Sequence, residues 1–454
     1  MDRRNFIKMS GAASFLAASG SLFADNKKGR GRKPNVIYIL ADDLGYGDLG
    51  CYGQKLIKTP NVDRMADEGM KFTQHYSGSA LCAPSRCSLM TGKHTGHIFV
   101  SNNKVMPFEG NLPIPKDEIT IGEVMQKGGY VTACIGKWGL GYPGSEGDPN
   151  NQGFDHWFGY NCQRQAHSYY PDHLWRNADK VMLKGNQKGG QKQYSHDLLT
   201  KEALGFIEDN KDKPFFLYLT YTIPHTKFQV PDLGEYADKD WNKTHKIQAA
   251  MITRMDGDVG KILDLLKKFG LDEDTLVIFT SDNGAHGGGG TLKKFTASGE
   301  LRDKKGSLYE GGIRVPMVAR WPKKIKAAAV SDHVSAFWDI LPTCCDIAGQ
   351  TVPKTSDGLS MLPEFLGDHG RQKSHEYLYW ELGAGQALRK DNWKIVRKWK
   401  KKSATTELYD LGKDISESKD LAEKNPDVVS QLLKIMDSAR SSSAEFKAPY
   451  DKVI

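Results

Sequence analysis

No Cys-x-x-Cys pair occurs among the seven cysteines, which excludes the common thiolate zinc sites and dithiol redox motifs. No apolar run approaches the about 18 residues that a membrane-spanning helix requires, so no stable membrane insertion is expected. Internal repeats are absent too, which argues against solenoids and propellers. Neither charge sign dominates: 63 Lys and Arg against 55 Asp and Glu leave a net +8 over 454 residues. Such a modest basic excess suits the steering of a polyanionic substrate. The densest basic run, Lys398-Trp399-Lys400-Lys401-Lys402, lies between strand-like segments. It reads as a solvated hairpin loop, and no nucleic-acid partner is expected.

The first residues have the cast of an export signal. Arg3-Arg4 precedes Phe6, and Met9 to Ala24 is rich in Ala, Gly, Ser, Phe and Leu. This is similar to a twin-arginine signal over 1–24, with cleavage near Ala24 and a periplasmic or secreted product. Its removal takes away Arg3, Arg4, Lys8 and Asp2 and leaves +6. Residues 25–34, rich in Lys, Arg and Gly, read as a flexible lead-in. From Asn35 strand-like runs alternate with helical ones, among them a helix capped by Thr120 and ended by Gly128-Gly129, and an amphipathic helix over 246–268. The alternation predicts an α/β sandwich around a large mixed, mostly parallel sheet. Composition shifts near 355–375. The runs Tyr377–Glu381, Trp393–Arg397 and Glu407–Leu411, with a helix over 426–439, predict a small C-terminal antiparallel sheet carrying a helix. We therefore expect a catalytic domain over 35–360 and a C-terminal subdomain over 361–454.

Two apolar runs end in oxygen ligands. Asn35-Val36-Ile37-Tyr38-Ile39-Leu40-Ala41 runs into Asp42-Asp43, and Thr275-Leu276-Val277-Ile278-Phe279-Thr280-Ser281 into Asp282-Asn283. Both read as buried parallel strands, and sites in such sheets form at the carboxyl ends of strands. Adjacent carboxylates repel unless a cation lies between them, and hard oxygen donors suit Ca²⁺ or Mg²⁺. Asp42, Asp43, Asp282 and Asn283 are read as one divalent-metal site. Phe215–Pro224 is a further apolar run, delivering His225 at its end.

The most informative stretch is Cys82-Ala83-Pro84-Ser85-Arg86, followed by Leu89-Met90-Thr91-Gly92-Lys93. C-x-P-S-R with L-x-T-G-K resembles the signature of the type I sulfatases, on the alkaline-phosphatase-like fold, over about residues 35–440. In that family the cysteine is oxidised to formylglycine by a dedicated formylglycine-generating or radical maturation enzyme, and the hydrated aldehyde is the nucleophile. The resemblance implies that an oxygen of the modified Cys82 completes the metal site and that the ion is Ca²⁺, with Mg²⁺ less favoured. It places Arg86, Lys137 of Gly136-Lys137-Trp138 and Lys305 of the Lys305-Gly306-Ser307-Leu308-Tyr309-Glu310-Gly311-Gly312 segment on the sulfate. His225 becomes the acid for the leaving oxygen. Gly311 and Gly312 are expected to permit a backbone geometry closed to larger residues. Conversion of Cys82 leaves six cysteines, for which buried free thiols are the expectation.

One position departs from the family. Gly136-Lys137-Trp138-Gly139-Leu140-Gly141 resembles G-K-W-H-L-G, but Gly139 stands where most members have a histidine that assists turnover of the covalent sulfate. Either another group does that work or turnover is slow; His94, His97 and His167 are candidates. Loss of one base costs about 10²–10⁴ in rate, so activity can survive it. Beyond Gly153-Phe154-Asp155, similar to the family's G-F-D-x-x-x-G, residues 161–175 are dense in aromatic, Arg, Gln and His side chains. Arg164, His167, His173 and Trp175 are the candidate substrate contacts, for a sulfated carbohydrate or aryl sulfate. The rival readings are a phosphoesterase on the same fold, disfavoured by Cys82, and a non-catalytic binder of sulfated glycans.

Overall fold

The computed structural model describes residues 32–451. The signal-like segment 1–24 and the lead-in up to residue 31 lie outside the described residues. At the end of the lead-in, Arg32 and Lys33 donate to backbone carbonyls of Lys213 and Gly128 at 2.8 and 2.6 Å.

Four apolar segments form the centre of a ten-stranded sheet. Asn35–Asp42 lies between Phe215–Pro224 and Thr275–Ser281, parallel to both, and Val131–Lys137 continues the parallel order beyond Phe215–Pro224. Antiparallel pairs appear only towards the edges, at Met317–Arg320 on one side and His173–Arg176 on the other. Alternate side chains of one strand face opposite layers. Thus Ile37, Ile39, Ile135, Leu217 and Phe279 meet the helices Ser195–Asp209 and Lys243–Lys268. Tyr38, Leu40, Cys134, Phe216 and Ile278 meet Cys82–Thr91, Ile121–Lys127 and Ile340–Ala348. Burial on both faces explains why these strands read as continuous apolar runs.

The predicted helices are present, with small shifts at their ends. Thr120 caps Ile121–Lys127 through a reciprocal pair with Glu123. The long helix begins at Lys243, because the Asn242 side chain accepts from the His245 amide. All seven cysteines are free thiols, six of them buried.

Residues 378–410 form the expected antiparallel sheet, of four strands, with the helix Pro426–Ser438 against it. The basic run differs in detail. The strand Trp393–Lys400 extends through Trp399, whose indole donates to Gln386 at 3.0 Å, and the hairpin turns at Lys401 with φ 58°. This sheet is tied to the rest by Glu310, which is fully buried and accepts from Tyr76, Arg314 and Lys394 at 2.6, 3.2 and 2.8 Å. The Tyr-Glu-Gly-Gly segment is therefore an anchor for the C-terminal sheet. Gly311 and Gly312 exclude larger residues through close packing and not through a positive φ. They are needed for close approach, since a Cβ would lie 2.4 Å from the Asp303 carbonyl oxygen and 1.9 Å from that of Ser307.

A buried histidine makes stability depend on pH. His75 has Nδ1 on the Ser335 hydroxyl at 2.9 Å, and its ring faces Phe337. Burial pulls its pKa down to about 3, against the opposing pull of Asp339 and with a smaller push from His333. In the unfolded chain the imidazole protonates near pH 6.5. Between about 6.5 and 3 the unfolded state therefore holds more protons, so stability falls as pH falls across that window. Urea titrations across it should give a shallower pH slope for His75→Asn than for the wild type; equal slopes would contradict this assignment.

Candidate active site

The register of the central strands assembles the site. Ala41 pairs with Ser281, so Asp42-Asp43 and Asp282-Asn283 emerge side by side at the carboxyl ends of their strands. Asp43 has a left-handed backbone, φ 67°, an uncommon conformation for a residue with a side chain. Its amide donates to Asp282 Oδ1 at 3.1 Å, and Asn283 Nδ2 donates to its carboxylate at 2.7 Å.

Cys82 is the first residue of the helix Cys82–Thr91. Arg86, one turn later, shares its face and is completely buried. Its guanidinium forks onto Asp282 Oδ2 at 2.8 and 3.1 Å and donates to the Lys137 carbonyl at 2.7 Å and to the Thr220 hydroxyl. Lys137 Nζ lies 2.7 Å from Asp42 Oδ2. Lys305 Nζ lies 2.7 Å from Asp43 Oδ1 and 3.4 Å from Cys82 Sγ. His225 Nε2 is 3.3 Å from Asp43 Oδ2, and Nδ1 engages the Thr226 carbonyl. One ligand atom each from Asp42, Asp43, Cys82 and His225 fall within 4.8 Å of one another.

Burial raises the carboxylates' pKa values, but Lys137 and His225 hold Asp42, and His225 and Lys305 hold Asp43, below the usual carboxylate range. Asp282 is pushed up to about 6 by burial and by Asp42 and Asp43, with Arg86 opposing. His225 is raised to about 9, because Asp43 and Asp42 outweigh the desolvation that would lower it. Crowded carboxylates of this kind gain from a cation. The donor set fits one: Asp42 Oδ1 and Asn283 Oδ1 are buried oxygens without a hydrogen-bond partner, and hard oxygens suit Ca²⁺ or Mg²⁺.

The remaining sequence candidates divide. His167 belongs here, its ring stacked on His225 with centroids 4.2 Å apart. His173 and Trp175 are instead committed to Glu109, which accepts from their ring nitrogens at 2.9 and 2.6 Å. His173 and Glu109 line a neighbouring cavity of about 450 Å³, together with Phe108, Arg164 and Gln165. Among the described residues Arg164 has no carboxylate partner. His94 and His97 turn away to Asp357, with His97 Nδ1 at 2.9 Å from its carboxylate. Neither Thr220, inside an apolar run, nor Glu109 carries a motif that would mark it in the sequence.

The sulfatase family profile matches residues 34–350, well over half of the chain. The chain belongs to the type I sulfatase family of the alkaline-phosphatase-like superfamily. A second profile, the C-terminal region of N-sulphoglucosamine sulphohydrolase, matches residues 300–442. The sulfatase is 32% identical to steryl-sulfatase of Homo sapiens over 432 residues, covering 76% of this chain and 72% of that protein. It is 35% identical to N-acetylgalactosamine-6-sulfatase of Rattus norvegicus over 381 residues, covering 78% and 69%. A crystal structure of Ps i-CgsB in complex with k-i-k-neocarrahexaose superposes with a TM-score of 0.78 at 30% identity, covering 90% of this chain and 92% of that one. Family membership makes this sulfatase a sulfuric ester hydrolase, with the predicted sandwich and its small C-terminal sheet. No described helix is long and apolar enough to cross a membrane.

Proposed function

We propose that the protein hydrolyses sulfate esters of carbohydrates, with Cys82, oxidised to formylglycine, as the nucleophilic position. The convergence of Asp42, Asp43, Cys82 and His225 with the buried cations Arg86 and Lys137 and the half-buried Lys305 supports this reading most directly. Formylglycine supplies a hydrated aldehyde whose oxygen is the nucleophile. A divalent ion, Ca²⁺ in preference to Mg²⁺, supplies charge to the sulfate and would be held by Asp42, Asp43, Asp282, Asn283 and the oxygen at position 82.

The chain's own residues do the rest. Lys137, at the end of its strand, and Lys305, from the turn before Glu310–Ile313, reach in to neutralise the sulfuryl oxygens, and Lys305 also steadies the group at position 82. Arg86, fixed by its fork on Asp282, keeps position 82 and the strand end at Lys137 in register. His225, its Nδ1 anchored on the Thr226 carbonyl, directs Nε2 into the site to protonate the leaving oxygen. Arg164 and the cavity beside it are placed to take sugar hydroxyls or charges next to the ester. The sugar-complexed relative supports the carbohydrate class. The signal-like N-terminus supports export to the periplasm or beyond, and a maturation enzyme is required as partner.

His225→Ala should lower kcat on a sulfated sugar by about 10²–10⁴-fold. The loss should be much smaller on an aryl sulfate, whose phenolate needs little proton assistance. Equal losses on both would remove His225 from the acid's role. The function itself is tested by sulfate release from a panel of sulfated saccharides, with phosphate and phosphonate monoesters alongside. Release from a sulfated saccharide is expected; turnover of the phosphorus esters alone would favour the phosphoesterase reading.

A further inference from the structure

The loop between Tyr160 and His167 carries two amides that nothing in the fold uses. Gln163 is 4% and Asn161 0% exposed, and both polar atoms of each side chain lack a hydrogen-bond partner. Burying an unpaired amide costs stability, so such groups call for a partner, a bound water or a ligand.

Their surroundings are those of the active site. Tyr160 pairs in register with Lys137, and the Gly139 amide donates to the Asn161 carbonyl at 3.2 Å. The Gln163 backbone N–H donates to Asn111 Oδ1 at 2.9 Å. Asn111 is bridged to Val105 in the loop whose Asn103 accepts from the Ala83 amide at 3.1 Å, next to Cys82. At its other end the loop delivers His167 onto His225. Gly139 explains why the amide fits. With φ 82°, it is in the left-handed region, and a Cβ there would lie 2.5 Å from Gln163 Nε2. The Gln163 amide thus fills the space that a side chain at 139 would enter.

We propose that Gln163 is a sulfate-binding residue, its Nε2 donating a hydrogen bond to a non-bridging oxygen of the ester. This rests on the sulfate-ester reading above and deepens it. The amide carries no titratable proton, so its share of binding is independent of pH, and the proton transfers are left to other groups.

Inorganic sulfate, the reaction product, is the probe, with affinity measured by calorimetry and folding by thermal melting. Gln163→Leu should weaken sulfate binding roughly ten- to a hundred-fold, as loss of a hydrogen bond to a charged group does, while melting at or above the wild-type temperature. Gln163→Glu, of nearly the same shape, should weaken it further by like-charge repulsion, and it decides alone if Gln163→Leu fails to fold. Sulfate affinity within about twofold of wild type in the folded variants would overturn the proposal. Lys137→Ala separates the two readings. If it loses sulfate binding while the Gln163 variants keep it, only the role of Gln163 fails. If the wild type neither binds sulfate nor releases it from any ester, the sulfate-ester reading fails as well.

Discussion

Cys82→Ala should abolish sulfate release, by roughly 10⁴–10⁶-fold, the scale on which loss of a catalytic nucleophile is felt. The fold should survive. Cys82 opens its helix, and its side chain meets Lys305 Nζ at 3.4 Å with His225 beside it. Alanine is a good helix former, so stability should stay within about 1 kcal/mol of wild type. A folded Cys82→Ala protein with more than a small residue of activity would remove Cys82 from the chemistry. An unfolded one would mean that the position is structural.

Arg86→Ala should damage both stability and rate. The guanidinium is wholly buried and meets Asp282, the Lys137 carbonyl and the Thr220 hydroxyl. Truncation strands the Asp282 carboxylate beside Asp42 and Asp43, and breaking a buried pair in this way costs about 3–5 kcal/mol. Activity should fall at least about 10²–10³-fold, as when a preorganised electrostatic group is removed. Arg86→Lys should recover only part of either loss, because an ammonium cannot reproduce the two-pronged contact with Asp282. Added Ca²⁺ should raise the melting temperature of Arg86→Ala more than that of wild type, by relieving the carboxylates. Unchanged stability in Arg86→Ala, by denaturant titration, would contradict the network described for Asp282.

The parts of this site that could be read from the sequence are those fixed by the sheet. Asp42, Asp43, Asp282, Asn283 and His225 follow long apolar runs, and a buried parallel strand has only one place to put the polar residues at its end. Cys82 and Arg86 were legible because they sit one helical turn apart in a distinctive motif. The histidines near Cys82 in sequence misled for the same geometric reason. The 10-residue helix Cys82–Thr91 carries the chain about 15 Å, so His94 and His97, beyond its far end, lie away from Cys82 and pair with Asp357.

Residues 161–175 looked like a substrate surface by composition, but composition does not say which side chains have partners within the fold. Glu109, separated by 64 residues from His173 and 66 from Trp175, claims both. Gln163 escaped notice because an amide in a loop has no sequence signature. Its significance comes from burial without a partner, and from a glycine that leaves it room. Glu310 belongs to the segment that the resemblance places on the sulfate through Lys305, yet its carboxylate joins Tyr76 and Arg314 to Lys394 of the C-terminal sheet.

The central claim is that Cys82 is a nucleophile precursor. Its most direct test is peptide mass spectrometry across Cys82 on protein produced with a maturation enzyme, with sulfate release measured on the same sample. The account predicts the mass loss of a thiol-to-aldehyde exchange at Cys82, and activity in proportion to the fraction converted. Full activity from protein whose Cys82 remains an unmodified thiol would contradict it.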